Sequence, residues 1–186
     1  ISINGDKAFP MASTVKVAVA AAYLAQVDHG RRSLDDRIGS RSARQLIEAM
    51  MIRSDNAATD ILVRNLGGPA AIQTWMSWHG LSNIRMDRTI AQLLSDRRDL
   101  WDVRDSSTPM AMVSMLKLID RGNVLRPQSR QYLLDVMARC ATGKNRIRGL
   151  LSPGTPVAHK TGTLNGLTTD VGYITLPTGR KVAVAF

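Results

Sequence analysis

The chain has 186 residues, 44% of them hydrophobic and 22% charged, values that fit a globular domain and exclude intrinsic disorder or a collagen-like or low-complexity sequence. A net charge of +10 attracts polyanions, but the basic residues are scattered as pairs such as Arg31-Arg32, Arg97-Arg98 and Arg180-Lys181, and aromatics make up only 4%, which argues against a nucleic-acid partner. The longest apolar run, residues 15–24, is broken by Lys16 and is about half the length a bilayer demands, so no membrane span is expected, and a single cysteine, Cys140, permits no internal disulfide.

In chain order, residues 1–3 read as the end of a strand before the Asn4-Gly5 turn signal. Residues 11–29 are apolar almost all round, the pattern of a buried helix, with Pro10 ahead of it and Gly30 as its stop. Residues 42–53, 57–66 and 69–79 read as three further helices, punctuated by Gly67-Gly68, Pro69 and Gly80. Residues 81–105 show no clear period, a stretch too long for an ordinary connection and suggestive of an Ω-type functional loop. Thr108-Pro109 opens a helix that Gly122 ends, and another helix runs from about 127 to 140. From Thr155 the grammar becomes that of strands: residues 155–163, 169–176 and 180–186 are rich in β-branched residues, the last two joined by Pro177-Thr178-Gly179 as a hairpin. The expected architecture is α/β (α+β), one domain over 1–186: a helical lobe over about 13–150 beside an antiparallel β-sheet flanked by helices, with the sheet portion in 1–9 and 155–186.

Three short motifs carry candidate chemistry. Ser13-Thr14-Val15-Lys16 has the form S-x-x-K, which on a helix puts a hydroxyl and an amine on one face. Average composition gives roughly one such tetrapeptide by chance in a chain this long. Ser54-Asp55-Asn56 lies between two predicted helices, where the same residues serve as ordinary caps. Lys160-Thr161-Gly162 lies in a predicted strand, where a glycine marks either a bulge or the close approach of another backbone. All three in this order have chance odds on the order of one in a thousand. A serine hydroxyl becomes a nucleophile only when a base takes its proton, and a lysine serves only when neutral. A second ammonium nearby, Lys160 beside Lys16, would depress the first one's proton affinity.

These motifs, with Phe9-Pro10-Met11-Ala12 ahead of Ser13, Arg104-Asp105-Ser106-Ser107-Thr108-Pro109, and His159 and Thr163 flanking Lys160-Thr161-Gly162, resemble the class A β-lactamases within the penicillin-recognising serine hydrolases, nearly end to end. The resemblance implies catalytic roles for Ser13, Lys16, Ser54 and Lys160. It implies substrate binding by Asn56, Thr161, Gly162 and Thr163, with an oxyanion hole at the backbone N–H groups of Ser13 and Thr163. It also implies an Arg88–Asp105 ion pair closing an Ω loop, no cofactor and no metal. The implied partner is a small-molecule β-lactam or a peptidoglycan stem peptide, and the implied protein is a monomer working in the periplasm or outside the cell. Because the family has a helix and strands before the point matching Ile1, and a strand and helix after the point matching Phe186, the resemblance also implies a chain incomplete at both ends.

The sequence departs from that family in two places. Family members release the acyl group with a water activated by an Ω-loop glutamate, and the only glutamate here is Glu48, expected on a helix surface with no role beyond solvation. Counting from Arg88 puts Ile90 at the glutamate position and counting back from Asp105 puts Gln92 there; neither accepts a proton. The alternatives are a D-alanyl-D-alanine carboxypeptidase or penicillin-binding protein, a β-lactamase trapped at the acyl-enzyme, a substitute carboxylate from Asp96, Asp99 or Asp102, or a non-catalytic β-lactam or muropeptide sensor that acylates once. Ser54 follows Ser13 by only 41 positions, with the shortfall at Gly39-Ser40-Arg41-Ser42, where a loop walling the cleft is either deleted or missing. His29, His79 and His159 lack metal-ligand spacing, His159 should face away from Lys160, and Trp75, Trp78, the nine methionines and Cys140 are expected in the core.

Overall fold

In the computed structural model, which describes residues 1–96 and 102–186, the longest apolar run becomes the central helix α1, Lys16–Asp28, buried from Lys16 to Ala25. A helix with no polar face must be surrounded, and α1 packs against α2 (Ala43–Ile52), α3 (Asn56–Asn65), α4 (Pro69–Trp78) and α7 (Pro127–Ala138). The helix is α only from Lys16. Residues Ala12–Val15 form a 3-10 turn, because Ala12 is held at φ 50° while the Met11 N–H is drawn to the Asp105 carbonyl at 3.0 Å.

The sequence places caps where helices begin. Ser42 and Gln45 form a reciprocal capping box on α2, Asp55 accepts from the Ala58 N–H on α3, and Thr108 accepts from Ala111 on α6, Pro109–Asp120. Each such cap contributes about 1 kcal/mol. Between Ile38 and Arg41 the chain turns in two residues: β2 (Arg37–Ile38) pairs antiparallel with β3 (Arg41–Ser42), with Gly39 at φ 66°, a left-handed conformation that glycine adopts without strain. The connection that the family comparison made look short is thus a closed, tight hairpin.

The sheet is antiparallel in the order β5 (Val157–Leu164), β6 (Leu167–Thr175), β7 (Lys181–Ala185). Helix α7 covers β5, and α6 covers β7 and β6. The expected α+β architecture is therefore present, with three corrections. Residues 1–3 are exposed and form no strand; Asn4 turns the chain at φ 50°, and the pairing falls later, between β1 (Phe9–Pro10) and β4 (Ser106–Ser107). The apparently aperiodic stretch contains a short helix, α5 (Ile90–Ser95), announced by a Thr89/Gln92 capping box. Trp75 packs partly against the core and lies against His79 with ring centroids 4.6 Å apart and the planes tilted by 42°, but Trp78 is 82% exposed. The buried face of α4 is set by Ile72 and Met76, and Trp78, two residues on, turns to the other side. Methionine fills the core as expected except at exposed Met110, and Cys140 is buried.

Candidate active site

Ser13 lies on the 3-10 turn, one turn ahead of Lys16, and is half-buried, its hydroxyl without a hydrogen bond among the described residues. Lys16 is fully buried. Its Nζ lies 2.8 Å from the Ser54 carbonyl oxygen, 2.8 Å from Asn56 Oδ1 and 3.1 Å from Ser54 Oγ. The first two partners only accept, so a neutral amine can give its two N–H groups to them and turn its lone pair toward the Ser54 hydroxyl. Ser54 itself is held at φ 60°, where a non-glycine residue stores about 1–3 kcal/mol of strain. That conformation presents its carbonyl and hydroxyl to Lys16 together.

Lys160 reaches the cluster from β5, also fully buried, donating to Ser54 Oγ at 3.0 Å and to the Thr161 carbonyl at 2.8 Å. Ser54 Oγ therefore stands between two amines. Among the described residues no carboxylate pairs with either amine. Burial, reinforced by the Lys160 charge, pushes Lys16 down from 10.5 to about 7, against smaller opposing pulls from Asp55 and Asp60. Burial likewise lowers Lys160 to about 8, with Arg146 pushing the same way and Cys140 and Asp170 opposing.

Gly162 explains how the strand gets so close. A Cβ there would sit 2.8 Å from the Met11 carbonyl oxygen and 2.9 Å from the Ala12 side chain, so the missing side chain lets β5 abut the turn that carries Ser13. The close-approach reading holds and the bulge reading does not: β5 pairs with β6 in unbroken register from Val157↔Ile174 to Leu164↔Leu167. Thr163, beyond the glycine, is exposed at the rim.

Two residues at this rim carried no sequence signal. Thr142 Oγ1 lies 2.5 Å from Thr161 Oγ1. Arg146 spans the strand pair, donating from Nη1 to the Gly162 and Thr169 carbonyls, both at 2.8 Å, and from Nη2 to Thr163 Oγ1 at 2.7 Å. Both come from the connection after α7, where neither periodicity nor motif distinguishes one polar residue from the next. His159 faces away from Lys160 as alternation requires, and its buried Nδ1 lies 2.9 Å from both carboxylate oxygens of buried Asp170. Asp170 also accepts from the Ile147 N–H at 3.3 Å, tying the residue after Arg146 to the sheet.

The loop between Arg88 and Asp105 is closed as the resemblance implies. Arg88 Nε donates to Asp105 Oδ2 at 2.6 Å, Nη1 to Asp96 at 2.8 Å and Nη2 to Asp102 at 3.3 Å. Arg104 also holds Asp102, at 2.8 Å, and keeps its carboxyl well below the usual carboxylate range. Burial would raise Asp87, but Arg85 and the Asp105 N–H bring it below its ordinary value. Asp60 secures α5 by accepting the Ile90 and Ala91 N–H groups at 2.7 and 2.9 Å. Gln92 is exposed and its side chain turns back to the Thr89 N–H, while Ile90 is buried. Glu48, expected to be merely solvated, pairs with Arg139 at 2.9 Å. Asp99 lies outside the described residues. Among the described residues no group of three or more His, Cys, Asp or Glu side chains is placed to hold a metal ion, and no helix is long and apolar enough to cross a membrane.

A helical lobe and an antiparallel sheet meeting at a serine, two amines and a second hydroxyl define the serine acyl-enzyme class. The sequence model of the beta-lactamase enzyme family matches residues 1–186. The chain is 29% identical to beta-lactamase VEB-1 of Pseudomonas aeruginosa, covering all of this chain and 71% of that one, and 31% identical to the carbapenem-hydrolyzing beta-lactamase KPC of Klebsiella oxytoca, covering 99% and 69%. Among solved structures, an ancestral class A beta-lactamase (GNCA) superposes with TM-score 0.94 at 35% identity, over all of this chain and 78% of that one. A beta-lactamase from Chitinophaga pinensis superposes with TM-score 0.90 at 31% identity, again over all of this chain and 78% of its partner. The chain belongs to the beta-lactamase enzyme family, and its relatives place it with the class A-like serine hydrolases.

Proposed function

We propose that this chain opens β-lactams by forming an ester on Ser13 and that it releases the acyl group slowly. The observation that carries the reading is Ser54 Oγ, 3.1 Å from Lys16 Nζ and 3.0 Å from Lys160 Nζ, with Lys16 held near neutrality. When substrate binds, neutral Lys16 is assigned to turn its lone pair from the Ser54 hydroxyl to Ser13, one turn ahead of it, and to take that proton as Ser13 Oγ bonds to the lactam carbonyl carbon. The C–N bond then breaks, its nitrogen takes the Ser54 hydroxyl proton, and Ser54 is refilled from the ammonium beside it. Thr161, Thr163 and Asn56 are assigned to hold the substrate, its carboxylate beside Lys160 and Arg146, and the Ser13 and Thr163 N–H groups to receive the oxyanion.

Release of the ester needs a base for water, and among the described residues this site is poor in them. Gln92 cannot accept a proton, Glu48 is tied to Arg139, and Asp96 and Asp102 are held by Arg88 and Arg104. Intact-mass spectrometry over time with a cephalosporin tests the proposal: a stoichiometric, long-lived adduct is expected, absent in Ser13→Ala. Absence of any adduct or turnover overturns acylation, and rapid turnover without an adduct overturns slow release.

A second reading, a D-alanyl-D-alanine carboxypeptidase acting near peptidoglycan outside the cytoplasmic membrane, is favoured by the two-residue β2–β3 turn. A shorter wall suits a longer, peptidic substrate. Release of D-alanine from a stem-peptide analogue would favour it over the first.

A further inference from the structure

We propose that the far end of α1 carries a second site, for a phosphate-bearing anion. A helix rises about 1.5 Å per residue, so Asp28 lies about 18 Å along α1 from Lys16. There, where the end of α1 meets the α6–α7 turn, is a cavity of about 480 Å³ lined by Asp28, His29, Arg121, Asn123, Arg126 and Arg130, among others.

Its charges are out of balance. Three arginines, of which Arg121 and Arg126 are exposed, line it beside one carboxylate, Asp28, and both oxygens of that carboxylate are already occupied: Oδ2 accepts from the Arg126 N–H at 2.7 Å and Oδ1 from the Ser129 hydroxyl at 2.6 Å. The nearby Asp120 carboxylate is turned to Lys181 at 2.7 Å, while its carbonyl oxygen accepts from Arg130 Nη1 at 2.7 Å and fixes that guanidinium in place. The guanidinium groups of Arg121 and Arg126 have no partner among the described residues.

Arg121, just past the end of α6, is ordinary, since a cation suits a helix C-terminus. Arg126 is not. It is the N-cap of α7, a twelve-residue helix, and makes no side-chain cap bond. That position favours Ser, Thr, Asp or Asn, and a cation there opposes the helix dipole. Asp28, reaching over from α1, accepts from the Arg126 N–H and the Ser129 hydroxyl rather than from the N–H groups of the next two turn positions. Arg126 is thus the wrong residue for the helix and a suitable one for an anion held between it, Arg121 and Arg130. Forked guanidinium donors match the oxygens of a tetrahedral phosphate, and three of them match a multiply charged one better than a single carboxylate.

The test is titration of the full chain with inorganic pyrophosphate at near-physiological salt, alongside Arg126→Ser and Arg121→Ser, with vesicles containing phosphatidylglycerol as a second arm. The expected result is saturable one-to-one pyrophosphate binding, weakened about tenfold by each substitution. Arg126→Ser, which installs a better cap, should leave the melting temperature unchanged or higher, so lost binding cannot be ascribed to lost folding. Acylation at Ser13 should be unaltered in both variants, which separates this site from the proposed active site. Vesicle binding that pyrophosphate displaces identifies the lipid phosphate as the source; free pyrophosphate binding without vesicle binding identifies a soluble phosphate. Non-saturating pyrophosphate binding, equal affinity in Arg126→Ser, or vesicle binding that neither substitution weakens would overturn the proposal.

Discussion

Lys16 and Arg88 are both buried cations, and their surroundings make opposite things of them. Lys16 sits among carbonyl, amide and hydroxyl oxygens with a second amine across Ser54 and no carboxylate in contact, so burial works against its charge and brings it to about 7. Arg88 is met by Asp96, Asp102 and Asp105, and its proton is held more firmly than usual. A buried cation without a counter-charge becomes a base; one saturated with carboxylates becomes a clasp. The distribution of acid, more than the number of bases, separates the reactive region from the structural one.

Making the same substitution in both regions breaks the comparison most sharply. Lys16→Met should reduce the acylation rate by about 10³-fold while costing the fold only about 1–3 kcal/mol, because no buried charge is orphaned and only the Ser54 carbonyl and Asn56 Oδ1 lose a donor; stopped-flow acylation and chemical denaturation read the two halves. Arg88→Met should do the reverse, destabilising the chain by about 3–5 kcal/mol because buried Asp105 loses its counter-charge, as read by chemical denaturation. A Lys16→Met variant destabilised as much as Arg88→Met, or an Arg88→Met variant that is not destabilised, would undo the contrast.

Acidity separates the regions with opposite sign. Acylation should rise with pH through about 7 as Lys16 loses its proton, and Lys160→Met should move that midpoint upward by about one unit by removing the neighbouring charge. Between about 7 and 10.5 the unfolded chain binds a proton that folded Lys16 does not, so this lysine's contribution to stability improves as pH rises across that window. Asp87 and Asp102 are depressed. They stabilise the fold above the ordinary carboxylate range, and that contribution is lost as the pH falls through and below about 4. The smallest effect is expected from Gln92→Glu. A glutamate keeps the Thr89 capping box but stays turned toward Thr89, so the melting temperature should move by no more than a degree or two and the lifetime of the acyl-enzyme, followed by mass spectrometry, should not shorten.

Helix positions were legible because their punctuation is local: Gly30, Ser42, Asp55, Gly67-Gly68, Thr108-Pro109 and Pro127 each act on the next turn. The meeting of Ser54 with Lys16 and Lys160 was legible only as a coincidence of motifs, which resemblance turned into a site. Helix α5 went unread although its Thr89-Ile90-Ala91-Gln92 start follows the capping-box pattern, because six residues are too few to show a period. Arg146 and the His159–Asp170 pair went unread for a different reason. Their meaning lies in partners that the sheet register delivers, and register is a property of the folded chain.

The two-residue turn at Gly39-Ser40 sits next to the catalytic loop through the Arg41–Asp55 pair, 3.6 Å apart, yet it contributes nothing to the amine cluster itself. Lengthening a surface connection adds only about 0.6 kcal/mol per doubling. The turn is therefore a natural grafting point: a longer segment spliced there would reshape which molecules can enter while the proton chemistry beneath it stays as it is, so selectivity and reactivity can be varied in this scaffold independently of each other.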